Sequence, residues 1–317
     1  RDVAPSRGLG DVYKRQDTVY AFAMLDLETD GPTVVEVPPG SGPGTVNDAF
    51  FRFVVDMGGP GPDKGKGGKY LIVPASYSGK LPKDVEHGGE YYISRSPSYV
   101  NIVILRGFLV DGIPDTASKM FRNGFKVYSL SKAGKPPKME FINSSKQVFN
   151  TIHANDFEFY NELDHVIQKE PLDFIDPELR GLVASIGIRK GSPFSPDKRM
   201  TTILPHDVAA GNATARAISF RNRDPRSRMY PDSQWRTSFI GDDYRWLGGD
   251  GRSGRDLDAR TSFFYVATVN TPAMATKLVG AGSQYAISSA DSMGEPFDGA
   301  KNYRLHIPRD VPAKDFW

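Results

Sequence analysis

Apolar residues in this chain gather in short runs, then at helical spacing, then in short runs again. Residues 19–27 are apolar and end in the turn residues Thr29, Asp30, Gly31 and Pro32. Residues 33–37 alternate apolar and polar until Pro38 and Pro39 stop them. Further apolar runs lie at 50–57, 70–73, 91–93 and 99–110, with a Gly-, Pro- and Lys-rich loop at 58–69. This spacing predicts strands. The period then changes. Asn155 followed by Glu158 has the form of a capping box, and Phe159, Leu163, Val166 and Ile167 share one helical face. Asp176 before Pro177 predicts a second helix start, with a stripe of Leu179, Leu182, Val183 and Ile186. Ser195 before Pro196 opens a third helix over 197–204, and an Ala-rich helix is expected over 207–220, after Pro205. From Thr261 the pattern predicts strands again, at 262–269, 284–288 and 302–307. No internal repeat is visible.

The expected fold is therefore α+β, mainly β with a helical middle segment. Residues 17–150 form a first β domain, 151–225 a helical connector and 226–317 a second β domain. Gly and Pro together number 56, which suits short strands and many turns. No run approaches the eighteen apolar residues of a membrane span. Cysteine is absent, which removes thiol catalysis, disulfides and thiolate metal sites.

Residues 1–16 read RDVAPSRGLGDVYKRQ and match none of this patterning. The string resembles a translated sequencing adapter of the kind found in metagenomic reading frames, so it is set aside as a non-native tail. Without it, 40 basic and 38 acidic residues become 36 of each. A neutral chain gives no support for a nucleic-acid partner. At the other end, Phe316 and Trp317 read as the opening of a strand in a second domain that is incomplete here.

Candidate chemistry concentrates at 221–260, which holds nine Arg, seven Asp, two Trp and no Lys. Arg's planar fork pairs with carboxylates and stacks on rings in ways Lys cannot. The run from Asp250 to Asp258 could offer oxygens to calcium. Three Arg beside it oppose a cation, and an Arg–Asp network that pins the segment to the element at Thr261 is favoured instead. No metal site and no cofactor are expected. The turn carrying Asp291, Glu295 and Asp298 reads as solvated. Hydrolase motifs are weak: no Gly-x-Ser-x-Gly elbow exists, and the five His are scattered without metal-ligand spacing. The Gly-rich loop at 58–69 lacks the phosphate-loop pattern.

Several segments carry a family resemblance. DTVYAFAMLDL (17–27) and SPSYVNIVILRGFLVDG (96–112) resemble the domain of unknown function 1254. YPDSQW (230–235), GGDGRSGRDLDART (248–261), ATVNTPAMA (267–275) and KNYRLHIPRDVPAKDFW (301–317) resemble its usual partner, the domain of unknown function 1214. The resemblance implies two β-sandwich or jelly-roll-like domains around a helical segment, with the second domain continuing past Trp317. It also implies a periplasmic or secreted setting, and it supplies no established reaction. Relatives usually carry a tryptophan soon after the aspartate matching Asp56; here Met57, Gly58 and Gly59 follow.

These readings lead to an envelope or secreted protein that binds a small polar or carbohydrate ligand. The candidate ligand contacts are Tyr20, Asp56, Trp235, Arg260, Tyr265 and Asn270; no catalytic residue is assigned. A glycoside-type hydrolase using Asp56 and Asp258 is the alternative, and it needs carboxylates about 5–10 Å apart. A structural module that pairs through exposed edge strands is the third.

Overall fold

The computed structural model describes residues 18–148, 150, 153–247, 254–267, 269–276, 285–307 and 309–310. The adapter-like tail, residues 250–253 of the Asp-Gly run and the closing Phe316 and Trp317 lie outside the described residues. The chain divides into two compact units, Arg1–Ala209 and Ala210–Trp317. It is α+β, as the pattern predicts.

Among the described residues the first unit contains eight strands: β1 (Thr18–Asp26), β2 (Thr33–Val37), β3 (Gly44–Asp48), β4 (Phe53–Met57), β5 (Gly68–Pro74), β6 (Tyr91–Ser96), β7 (Val100–Phe108) and β8 (Lys126–Ser129). They form two four-stranded sheets, ordered β1-β7-β3-β4 and β6-β5-β2-β8. Every pairing is antiparallel except β5 with β6. One core lies between the sheets. Leu25, Val46, Met57, Val103 and Leu105 come from the first sheet, and Val35, Val37, Tyr70 and Ile72 from the second. Each such aliphatic side chain contributes about 1.5–3 kcal/mol through burial.

The two outer faces differ. Val34, Leu71, Val73, Tyr91 and Tyr128 on the second sheet are covered by Leu81, Leu130 and neighbouring loop residues. Burial on both faces explains why β2 and β5 read as nearly continuous apolar runs. In β1 the bulky residues Tyr20, Phe22 and Met24 face outward at 50–61% exposure, while Val19, Ala21, Ala23 and Leu25 face the core.

Strands β3 and β8 and helix α2 are among the elements that the pattern does not announce. Strand β3 is polar, yet it lies between β7 and β4 with Thr45, Asn47 and Asp48 buried. Asp48 accepts from the backbone N–H of Phe50 and Arg52, both at 2.8 Å, and from Arg52 Nε at 2.6 Å. Such bonds let a polar strand occupy a sheet interior. Strand β8 is short. Helix α2 (Asp115–Gly124) packs Ala117 and Phe121 over Gly107 of β7, where an added Cβ would meet Ala117 Cβ at 2.9 Å.

A second cluster joins helices α3 (Glu158–Lys169), α4 (Pro177–Ser185) and the start of α5 (Lys198–Phe220), through Tyr160, Ile167, Phe174, Ile175, Ile188 and Leu204. Glu170 follows α3. Its carboxylate is buried and accepts from Tyr99 N–H at 2.5 Å and Val100 N–H at 3.0 Å. Lys169 beside it pairs with Asp26 and Glu28, which flank the start of the short helix α1 (Leu27–Asp30), at 2.9 and 2.6 Å. Helix α5 runs through Pro205 unbroken, where the sequence predicts two helices.

The second unit contains α6 (Leu257–Val266), α7 (Pro272–Ala275) and isolated β-bridges. The strand expected over 262–269 is mostly helix. Asp256 caps it by accepting from Ala259 N–H at 2.9 Å, and Ala259 and Phe263 fall four residues apart on its buried face. The stretch at 262–266 has the aromatic composition of a strand, and the cap at Asp256 starts it as a helix instead. Residues 302–307, expected as a strand, form no regular element, and residue 284 lies outside the described residues.

Candidate functional site

The Arg- and Asp-rich segment contributes to the second unit's framework. Arg226 Nη2 bridges Asp224 and Asp256, each at 2.5 Å, so it ties the α6 cap to the chain before it. The hydrogen bond from Arg226 holds the Asp224 carboxyl below its ordinary range. Arg245 pairs with Asp243 at 3.3 Å, and Arg255 donates to the carbonyl of Arg245. The core beside this network is Ile240, Trp246, Ala259 and Phe263, with Phe239 and Phe264 packed against it. Trp246 is buried at a φ of 53°. A bulky residue there is strained, and its indole N–H meets no acceptor among the described residues. Three aromatic rings lie within 6.4 Å of it.

Arg236 differs from the arginines paired above. Its backbone bridges Arg228 on one side and Ile287 on the other. Its Nη1 donates to Ser227 Oγ at 2.6 Å, and no carboxylate among the described residues pairs with it. Burial lowers the pKa of this guanidinium, and Arg228 lowers it further. Like charges on bridged neighbours repel. The half-buried Arg236 lines a hollow of about 100 Å³ with Asn222, Thr237 and six serines; Phe220 and Ile287 complete its lining. Four of the serines donate their hydroxyls to backbone carbonyls, among them Ser227 to Asp224 at 2.6 Å and Ser289 to Phe220 at 2.9 Å. Asn222 donates to Ser262 Oγ at 3.3 Å. Among the described residues the hydroxyl hydrogens of Ser262 and Ser238 and the remaining guanidinium N–H groups of Arg236 have no acceptor assigned.

Of the six residues expected to touch ligand, Tyr20 and Asp56 fall in the first unit and the other four in the second. Tyr20 and Asp56 lie on β1 and β4, the two outer strands of one sheet, three strand spacings or about 14 Å apart. Tyr20 is half exposed beneath the Arg106 guanidinium. Asp56 pairs with Thr45 across β4 and β3. In the second unit, Asn270 is buried and donates to the carbonyl of Tyr244 at 2.7 Å. Arg260 lies half-buried on α6, its pKa lowered by burial and then by Arg255. Tyr265 donates to Asn212 at 3.1 Å and packs edge-on against Phe220, a lining residue of the hollow. Trp235 is half-buried and directly precedes Arg236. The sequence reading thus came within one residue of the hollow but missed Arg236, Asn222 and Ser262. Asp258, the proposed carboxylate partner of Asp56, is exposed on α6 in the other unit. Among the described residues no cluster of three His, Asp or Glu could hold a metal ion.

Residues 12–129 match the family model described as protein of unknown function DUF1254, and residues 282–317 match that of protein of unknown function DUF1214. The chain thus carries a DUF1254 match followed by a DUF1214 match. Its DUF1254 segment ends with β8, so the match spans the eight-stranded sandwich. Its DUF1214 segment supplies Ile287, Ser288 and Ser289 to the hollow. A similar solved structure is the VPA0106 protein from Vibrio parahaemolyticus, a structural genomics target. It is 15% identical, with a TM-score of 0.52, over 90% of this chain and 64% of that one. The chain therefore spans just under two thirds of that protein's length, and the likeness concerns the fold alone. No curated protein matches.

Proposed function

We propose that the second unit binds a small anionic ligand through one carboxylate or phosphate-like group held by Arg236. The observation that carries this reading is a half-buried guanidinium beside a second arginine, without a described carboxylate partner, in a hydroxyl-lined hollow. A guanidinium removed from water favours an oxyanion, which it can grip with two parallel N–H donors. Size narrows the ligand. Pockets that enclose a whole drug-sized ligand run to about 300–1,000 Å³, so a hollow of about 100 Å³ suits one charged group with the rest of the molecule outside. The polar-ligand reading is thereby kept and the carbohydrate reading narrowed to sugars that carry an acid. A periplasmic or secreted setting belongs to the same proposal and rests on the family resemblance.

The test is thermal unfolding in acetate, succinate or phosphate against equal ionic strength of sodium chloride and against glucose. Binding at a hundredfold excess over Kd stabilises by about 2.7 kcal/mol, which raises Tm by roughly 5 °C or more. Arg236→Gln should abolish that rise. Equal shifts in wild type and Arg236→Gln, or no shift with any anion, would sink the proposal.

A further inference from the structure

We infer a second, independent ligand site in the first unit: an apolar hollow with a cationic mouth that takes a small hydrophobic carboxylate. The hollow measures about 200 Å³ and lies among α3, α4 and residues 188–190. Ile167, Phe174, Ile175, Val183 and Ile188 supply its apolar wall. Arg180, Arg189 and Lys190 also line it, and no acidic side chain does.

Two of the three cations are positioned by backbone carbonyls rather than by carboxylates. Arg180 Nη1 donates to the carbonyl of Leu172 at 2.6 Å, and Lys190 Nζ to that of Gln168 at 2.6 Å. Among the described residues none of the three makes an ion pair. The nearby acids are engaged elsewhere or lie outside the lining. Asp176 caps α4 through Leu179 N–H at 2.9 Å, Asp164 accepts from Gln168 at 2.9 Å, and Glu170 holds two backbone donors. Asp173 and Glu178 are exposed and line no part of the hollow. Leu172, at the edge of the hollow, is 57% exposed.

Charge and size together select the occupant. An apolar cavity of about 150 Å³ is known to take a benzene ring, so this hollow suits one ring or a short acyl chain. Three unpaired cations at its lining call for an anionic head on that apolar body, with the tail inward and the carboxylate at the mouth. A carbohydrate lacks the apolar body, and a bare inorganic anion would leave the wall uncovered.

The experiment is titration of the full chain with phenylacetate and hexanoate, followed by calorimetry and by NMR of the probe. The neutral controls are 2-phenylethanol and hexanol. The acids should bind at least tenfold more tightly than the alcohols. Arg189→Gln with Lys190→Gln, both at the surface, should erase that preference without unfolding the chain. Val183→Trp should fill the hollow and abolish binding of acids and alcohols alike, with folding checked by circular dichroism. Arg236→Gln should leave all of these titrations unchanged, which separates this site from the hollow in the second unit. Equal binding of acid and alcohol, or a preference that survives the double substitution, would overturn the inference.

Discussion

The sandwich and the Arg-rich unit keep their shape by different means. In the sandwich, two sheets share one core built from alternating side chains, with Val46, Ile72, Val103 and Leu105 completely buried. In the second unit, a small aromatic core around Trp246 and Phe263 is accompanied by caps and ion pairs: Asp256 on α6, Arg226 between two aspartates, Arg245 on Asp243. The first depends on excluding water from repeated apolar positions. The second depends on particular partners at single positions, and a partner can be exchanged or left out. Arg236, which has a serine but no carboxylate partner among the described residues, belongs to the second kind of construction.

Core truncation should separate the two most strongly. Leu105→Ala or Ile72→Ala should cost the sandwich about 2–5 kcal/mol in urea unfolding, with little change in salt dependence. A loss below about 1 kcal/mol would mean that the sheets do not rely on a shared core. Asp256→Ala should cost the second unit about 1–2 kcal/mol, since it removes a helix cap along with one partner of Arg226. High salt should shrink part of that loss; a loss unchanged by salt would assign it all to the cap.

Acidity should give the smallest and most diagnostic contrast. Burial raises the Glu170 carboxyl above its ordinary value of 4.5, even with two backbone donors. Its contribution is therefore complete below about 4.5 and declines as pH rises through the folded value. Asp224 is held below 3.8 by Arg226, so its contribution is complete above 3.8 and is lost as pH falls through the folded value. Hydrogen-exchange protection between pH 3 and 7 should thus change in opposite directions around Tyr99 and around Arg226. Glu170→Gln and Asp224→Asn should each flatten their own slope. Slopes of the same sign in both regions would contradict the contrast.

The same difference explains what could be read from the sequence. Apolar runs bounded by Gly and Pro marked β1, β2, β4, β5 and β7, because burial in a shared core leaves a periodic record. Strand β3 left none, since its buried Thr45 and Asn47 donate to carbonyls of Val55 and Arg52 and its Asp48 accepts from the turn before β4. Helix α6 was hidden because the intrinsic β preference of its aromatic residues was overruled by Asp256 at a single position. The candidate contacts at Trp235 and Tyr265 came from the richest motif, yet Arg236 looked like any other arginine. Its distinction arises only when residue 287 is brought beside it and Arg228 flanks it, and no spacing along the chain encodes that.

Glu170 bears on where this protein could be cut. The DUF1254 match closes at residue 129, and a segment excised there would hold all eight strands. It would lack the carboxylate that accepts from Tyr99 and Val100 at the start of β7. Two backbone donors that are satisfied in the whole chain would need water or a rearranged turn. The matched span and the span that carries its own hydrogen-bond partners are thus different lengths of this polypeptide, and an excision beyond Glu170 keeps both bonds.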